Sequence, residues 1–85
     1  MKYSQEDICA KLKKEIIEKL KLDIDAERLT YDQEFFDGGL ELDSLDIIEI
    51  TSTAEDMFGI TITSDDEKSI KCIRDLANLI ITKIN

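Results

Sequence analysis

The 85 residues contain no proline, no histidine and no tryptophan. Without proline the strongest interior helix breaker is missing, which favours an α-rich chain. Without histidine there is no ordinary base to activate a serine or cysteine nucleophile, and no G-x-S-x-G elbow exists either. The two cysteines, Cys9 and Cys72, form no C-x-x-C pair, and with no histidine beside them they give no zinc pattern. Their number permits one disulfide, but two reduced, buried thiols in a cytoplasmic protein is the favoured reading. No apolar run is long enough to span a membrane, and the first stretch, MKYSQEDICAKLKKE, is too charged for a signal peptide. The length suits one small domain, taken here as residues 1–85.

The most informative shortage is of positive charge. No lysine or arginine occurs between Arg28 and Lys68, while that window holds twelve acids. The flanks carry the other eight acids and all eleven bases, a net charge of +3, whereas the whole chain stands at −9. Such a field repels nucleic acid and anionic lipid and steers basic partners. The plainer reading is an ordinary solvated surface, but the acids surround one short motif.

What is present is helical periodicity. The first helix is expected over residues 5–21, with Ser4 as its cap and Ile8, Leu12, Ile16 and Leu20 recurring every fourth residue beside Cys9 and Ile17. A long loop follows over 22–42. It carries Leu29, Tyr31, Phe35, Phe36, Leu40 and Leu42, enough apolar side chains to pin it to a core, and Gly38–Gly39 permit a sharp bend. The second helix is expected over 44–58, capped by Asp43 and closed by Gly59. Its core face holds Ile47, Ile50, Thr51, Ala54, Met57 and Phe58. A short third helix over 65–69 has a capping-box pattern in Ser64 and Glu67. The fourth covers 73–84. The expected fold is all-α: a small bundle of three longer helices and one short one, with a long first loop.

The chemistry lies on the other side of the second helix. Leu45, Ile48, Glu49, Ser52 and Asp56 fall opposite the core stripe, with Asp46 and Glu55 at its edges. Two branched aliphatics inside an acidic rim look like a docking surface, apolar for contact and charged for steering. Taken alone, Leu45 and Ile48 are equally well read as ordinary surface residues. Ser44 sits beside them in the first turn. It is either a cap or a point of covalent attachment, where a phosphate ester would meet the free N–H groups and dipole of the helix start. Asp46 and Glu49 share a helix edge but have no pocket-forming context for acid/base work.

The stretch DGGLELDSLDIIEITSTAEDMFGITI (37–62) resembles the acyl carrier proteins, in which D-S-L opens the second helix. D-S-L alone is a weak tripeptide. The full pattern is specific: a first helix of matching length, a loop with Phe36 and Leu40, D-S-L-D-x-x-E at 43–49, acids at 55–56, F-G-I at 58–60, a short acidic helix and a final helix. The resemblance implies that Ser44 receives 4′-phosphopantetheine from coenzyme A through a phosphopantetheinyl transferase, and that the arm's thiol carries acyl groups as thioesters. It implies that Asp43 helps the transferase hold its metal and orient the serine. Leu45, Asp46, Ile48, Glu49, Ser52, Glu55 and Asp56 would meet acyl-loading and chain-extending enzymes through basic docking patches, with the carrier a monomer that inserts in no membrane. Carriers of this family shelter the acyl chain between their helices.

This sequence departs from that pattern in places. Ser52 stands where a larger apolar residue is common, and Thr51 and Ala54 are smaller or more polar than usual. The interior is then either roomier or filled by Phe35, Leu42 or Met57. Cys72 replaces the hydroxyl that usually caps the last helix, so that start is expected to fray. GGLELDSLD differs from the D-L-G-x-D-S-L of housekeeping fatty-acid carriers and looks more like carriers of specialised pathways. Two other readings share the sequence: a peptidyl or aminoacyl carrier, or an unmodified acidic helical interaction domain. A calcium loop at DIDAERLTYDQE is excluded, because Arg28 holds the position that needs glycine.

Overall fold

The computed structural model describes residues 4–36 and 40–84; the bend expected at Gly38–Gly39 lies outside them. Four helices and no strand are present among the described residues. The expected all-α, four-helix arrangement is therefore the observed one.

Helix α1 spans Gln5–Leu20, and the Ser4 hydroxyl accepts the Asp7 N–H at 3.1 Å. It ends one residue before the expected position because Lys21 turns left-handed (φ 53°) and donates its N–H to the Ile17 carbonyl. Helix α2 spans Ser44–Phe58, as expected, because both of its ends are set by local chemistry. Asp43 accepts the Asp46 N–H at 3.0 Å and Asp46 accepts the Asp43 N–H at 3.2 Å, a reciprocal cap. At the far end Gly59 takes φ 64°, a conformation in which a side chain is disfavoured, and its N–H reaches the Glu55 carbonyl at 2.8 Å.

Helix α3 spans Ser64–Ser69, and its cap corrects the sequence reading. Thr63, not Ser64, is the N-cap, and Asp66, not Glu67, completes the box. Glu67 lies elsewhere: its carboxylate is 3.3 Å from the Thr51 hydroxyl of α2, which also reaches the Ile48 carbonyl at 3.0 Å. Helix α4 spans Ile73–Ile84. The fraying expected of a thiol cap is offset from outside the helix. The Arg74 N–H bonds the Tyr31 carbonyl at 2.9 Å, and the Asp75 carboxylate accepts the Lys71 N–H at 3.1 Å. Cys72 itself is buried.

α1 packs against α2 and α4, and α2 meets α4. The core joins Ile8, Leu12 and Ile16 to Ile47, Ile50 and Ala54 and to Ile73, Leu76, Ala77 and Ile80. The long loop is pinned as expected by Leu29, Phe35 and Leu42, all buried, and its Phe35 N–H donates to the Lys71 carbonyl at 2.8 Å. Phe35 is wholly enclosed and Leu42 is nearly so, in the same core cluster as Ala54, while Met57 is only half-buried. A polar clasp closes the loop's other end. Arg74 donates to Asp32 at 2.6 and 3.2 Å and to Gln5 at 3.0 Å, and lies 6.0 Å from the Tyr31 ring centroid. Phe36 is the exception to the pinning: it is 42 % exposed and faces the space beside Ser44.

Candidate functional site

Ser44 is the first residue of α2 and is exposed. The reciprocal cap uses the N–H groups of Asp43 and Asp46, two of the four that a helix start leaves without intrahelical acceptors. The other two belong to Ser44 itself and Leu45. An anion esterified to the Ser44 hydroxyl would therefore face two free donors and the positive end of the helix dipole. No histidine exists in the chain to turn that hydroxyl into a nucleophile of its own.

Ser44 opens onto a groove of about 650 Å³. Phe36, Ile47, Ile48 and Ile70 give it an apolar floor; Glu34, Glu67, Lys68 and Lys71 stand around it. Sequence reading placed Phe36 against the core and left the lysines out. Only the close approach of loop, α2 and α3 brings these residues together.

The outer face of α2 is largely as its periodicity predicts. Leu45 is 74 % and Ile48 53 % exposed, and Glu49, Ser52 and Asp56 are exposed around them. Two acids at the edges have additional roles. Asp46 is half-buried in the cap. Glu55 is half-buried and accepts the Ile62 N–H at 2.8 Å, so it ties α2 to the 60–63 connector. Lys19 of α1 joins this surface, lining a shallow hollow with Leu45, Ile48, Glu49 and Asp56. Its position four residues beyond Glu15 on a helix gave no sign of that neighbour.

α3 is held by polar ties. Lys83 of α4 pairs with Asp66 at 3.0 Å, and Thr51 bonds Glu67. The Thr63 N–H and then Lys83 hold the Asp66 carboxyl below the usual aspartate range. The hydrogen bond from Arg74 does the same for Asp32. Burial pushes the Cys9 and Cys72 thiols up, and both are free cysteines. No group of cysteine, aspartate and glutamate side chains suited to a metal ion occurs among the described residues. No described helix is long and apolar enough to cross a membrane.

Comparison with known proteins bears directly on this geometry. A family described as a phosphopantetheine attachment site matches residues 10–80. An acyl carrier protein of Petrotoga mobilis is 34 % identical over 79 residues, covering 86 % of this chain and 92 % of its own length. One from Thermobifida fusca is 36 % identical over 80 residues, covering 94 % and 98 %. The solved structure of an acyl carrier protein from Enterococcus faecalis superposes with a TM-score of 0.74 at 26 % identity, covering 95 % of this chain and 99 % of that one. The chain thus belongs to the acyl carrier protein family, carriers rather than catalysts, which bear a covalently attached 4′-phosphopantetheine and work with a phosphopantetheinyl transferase and biosynthetic enzymes.

Proposed function

We propose that Ser44 is the attachment residue and that the outer face of α2 is where partner enzymes dock. The observation that carries this reading is an exposed hydroxyl on the first turn of α2, beside two unused N–H donors and an apolar groove, in a chain with no base to make it catalytic. In the transferase, the Ser44 oxygen attacks the phosphorus next to pantetheine in coenzyme A. The pyrophosphate P–O bond breaks, the adenosine bisphosphate leaves, and the hydroxyl proton passes to a base of the transferase. Asp43 caps the helix through one oxygen and would have the other to offer the transferase's metal. The arm's thiol then carries acyl groups as thioesters between enzymes of fatty-acid, polyketide or related specialised synthesis.

In this proposal Leu45 and Ile48 supply the apolar contact, and Glu49 and Asp56 steer basic patches on loading and chain-extending enzymes. Ser52 sits between them, with Asp46 and Glu55 contributing charge from its edges while serving the fold. The carrier works as a cytoplasmic monomer.

Intact mass before and after incubation with coenzyme A, magnesium and a promiscuous transferase tests the attachment. One phosphopantetheine, mapped to Ser44 by fragmentation and lost in a folded Ser44→Ala variant, is the expected result. An arm on Ser44→Ala would sink the assignment. Reversing charge with Glu49→Lys and Asp56→Lys should slow the same transfer at low salt and matter less at high salt, where the Debye length shrinks to about 3 Å at 1 M. Equal rates at low salt would remove electrostatic docking.

A further inference from the structure

Two residues with side chains take left-handed backbone among the described residues, Lys21 at φ 53° and Glu41 at φ 56°. Lys21 is accounted for locally: it closes α1, where a cation meets the negative end of the helix dipole. Glu41 has no such account. It lies two residues ahead of the Asp43 cap, outside the first turn in which the dipole of α2 is felt. It is exposed, and no group among the described residues hydrogen-bonds or ion-pairs its carboxylate. Its nearest charged neighbours in sequence, Asp37 and Asp43, are acids as well.

The turn itself is fixed by its surroundings. The Leu40 N–H donates to the Glu34 carbonyl at 2.8 Å, the Glu41 N–H to the Phe36 carbonyl at 3.3 Å and the Leu42 N–H to the Phe35 carbonyl at 2.6 Å, and Phe35 and Leu42 are both buried. Glycine would fill the left-handed position without strain. A carboxylate kept there at a cost, with no partner among the described residues, finds its use outside the molecule.

We propose that Glu41 sorts this carrier at the attachment step: its carboxylate admits a transferase that sets a cation against it and turns away one fitted to carriers with glycine at this position. The inference rests on Ser44 as the attachment residue.

Position singles out that step. Glu41 precedes Ser44 by three residues, so at most about 10 Å of chain separates them. The transferase must bring the phosphates of coenzyme A onto the Ser44 oxygen, whereas enzymes that act on the thiol work at the far end of the arm. At 0.15 M salt the Debye length is about 8 Å, so a carboxylate at that range repels the incoming phosphates unless a cation stands against it. An enzyme whose carriers present glycine has no carboxylate for such a cation to pair with. Docking on it would leave Glu41 desolvated and unpaired, and discrimination then comes from a penalty against the wrong partner.

The test compares two transferases, each with coenzyme A and magnesium, by intact mass against time at low salt. One is promiscuous and the other is dedicated to fatty-acid carriers of the D-L-G-x-D-S-L type. Glu41→Gly and Glu41→Gln should each raise kcat/KM with the dedicated enzyme about tenfold, chiefly through KM, and change it less than about twofold with the promiscuous one. Glu41→Asp should behave as the parent does. Glu18→Gln, the same charge change at an exposed position of α1, should gain nothing. At 1 M salt the parent and Glu41→Gln should converge. Equal kcat/KM for the parent and both variants with the dedicated enzyme would overturn the proposal. So would a gain in Glu41→Gly alone, which would assign the effect to the backbone and not to the charge. Absence of any added mass on Ser44 of the parent with either enzyme would instead overturn the attachment reading itself.

Discussion

α3 and α4 both follow α2, and they are held to the bundle in opposite ways. α4 buries Ile73, Leu76, Ala77 and Ile80 completely, its first turn is tied to the long loop, and its apolar stripe completes the core. α3 buries none of its six residues; Asp66 and Glu67 hold it by side-chain bonds to Lys83 and Thr51, and the chain enters the core again only at Ile70. Apolar burial is proportional to area and is lost all at once, whereas half-buried polar ties such as these can still exchange with water. One wall of the Ser44 groove is therefore built from the more loosely held element.

The largest effect should come from breaking the tight side. Leu76→Ala removes a fully enclosed side chain and should lower stability by about 2–5 kcal/mol. That is a large share of the ~5–15 kcal/mol typical of a domain, so urea unfolding should show a clear fall in midpoint. An unchanged midpoint would mean that α4 is not the keystone described.

The next effect has the opposite sign and lies just before α2. Glu41 is held at φ 56°, a left-handed conformation that strains a residue with a side chain, and it occupies the glycine position of the D-L-G-x-D-S-L pattern. Glu41→Gly removes that strain but adds freedom to the unfolded chain. The net gain should be up to about 1 kcal/mol, or about 4–8 °C in Tm for a chain of this size. A lower Tm would show that the Glu41 side chain holds the turn in place.

The smallest effect on global stability should come from the loose side. Lys83→Gln cuts one of the ties of α3 and should barely move the urea midpoint, yet speed amide exchange at Glu67 and Ile70, whose N–H groups close the helix. Acid should act in the same way. The Asp66 carboxyl is depressed in the folded protein, so its contribution is complete above the usual aspartate value of 3.8 and is lost as pH falls below that through the lower folded value. Exchange at Ile70 should accelerate over that window in the parent and less so in Lys83→Gln. Equal acceleration in both would mean that the ion pair does not hold α3.

The same contrast explains what could be read from sequence alone. α2 was legible to the residue because Asp43, Asp46 and Gly59 act on backbone groups within four positions of themselves. α3 was misplaced by one residue because Thr63 and Ser64 are both good caps and Asp66 and Glu67 both good partners, so local rules do not choose between the two boxes. The Ser44 face was legible because helical periodicity sorts inside from outside. Its surroundings were not. Phe36 sits in a loop with no period, Glu55 finds its partner only after the chain turns at Gly59, and Lys19, Lys68 and Lys71 reach the site through packing. The start of α4 looked weak by local rules because its donor is satisfied by Tyr31, forty-three residues earlier.

That last contact sets an order of events. The Tyr31 carbonyl waits for Arg74, and the Phe35 N–H waits for Lys71, so these two anchors of the loop leading into Ser44 form only once the chain beyond residue 70 arrives. On a ribosome, the serine would emerge well before the wall of its own groove. The arrival of residues 70–74 thus decides when the groove beside Ser44 first takes its shape.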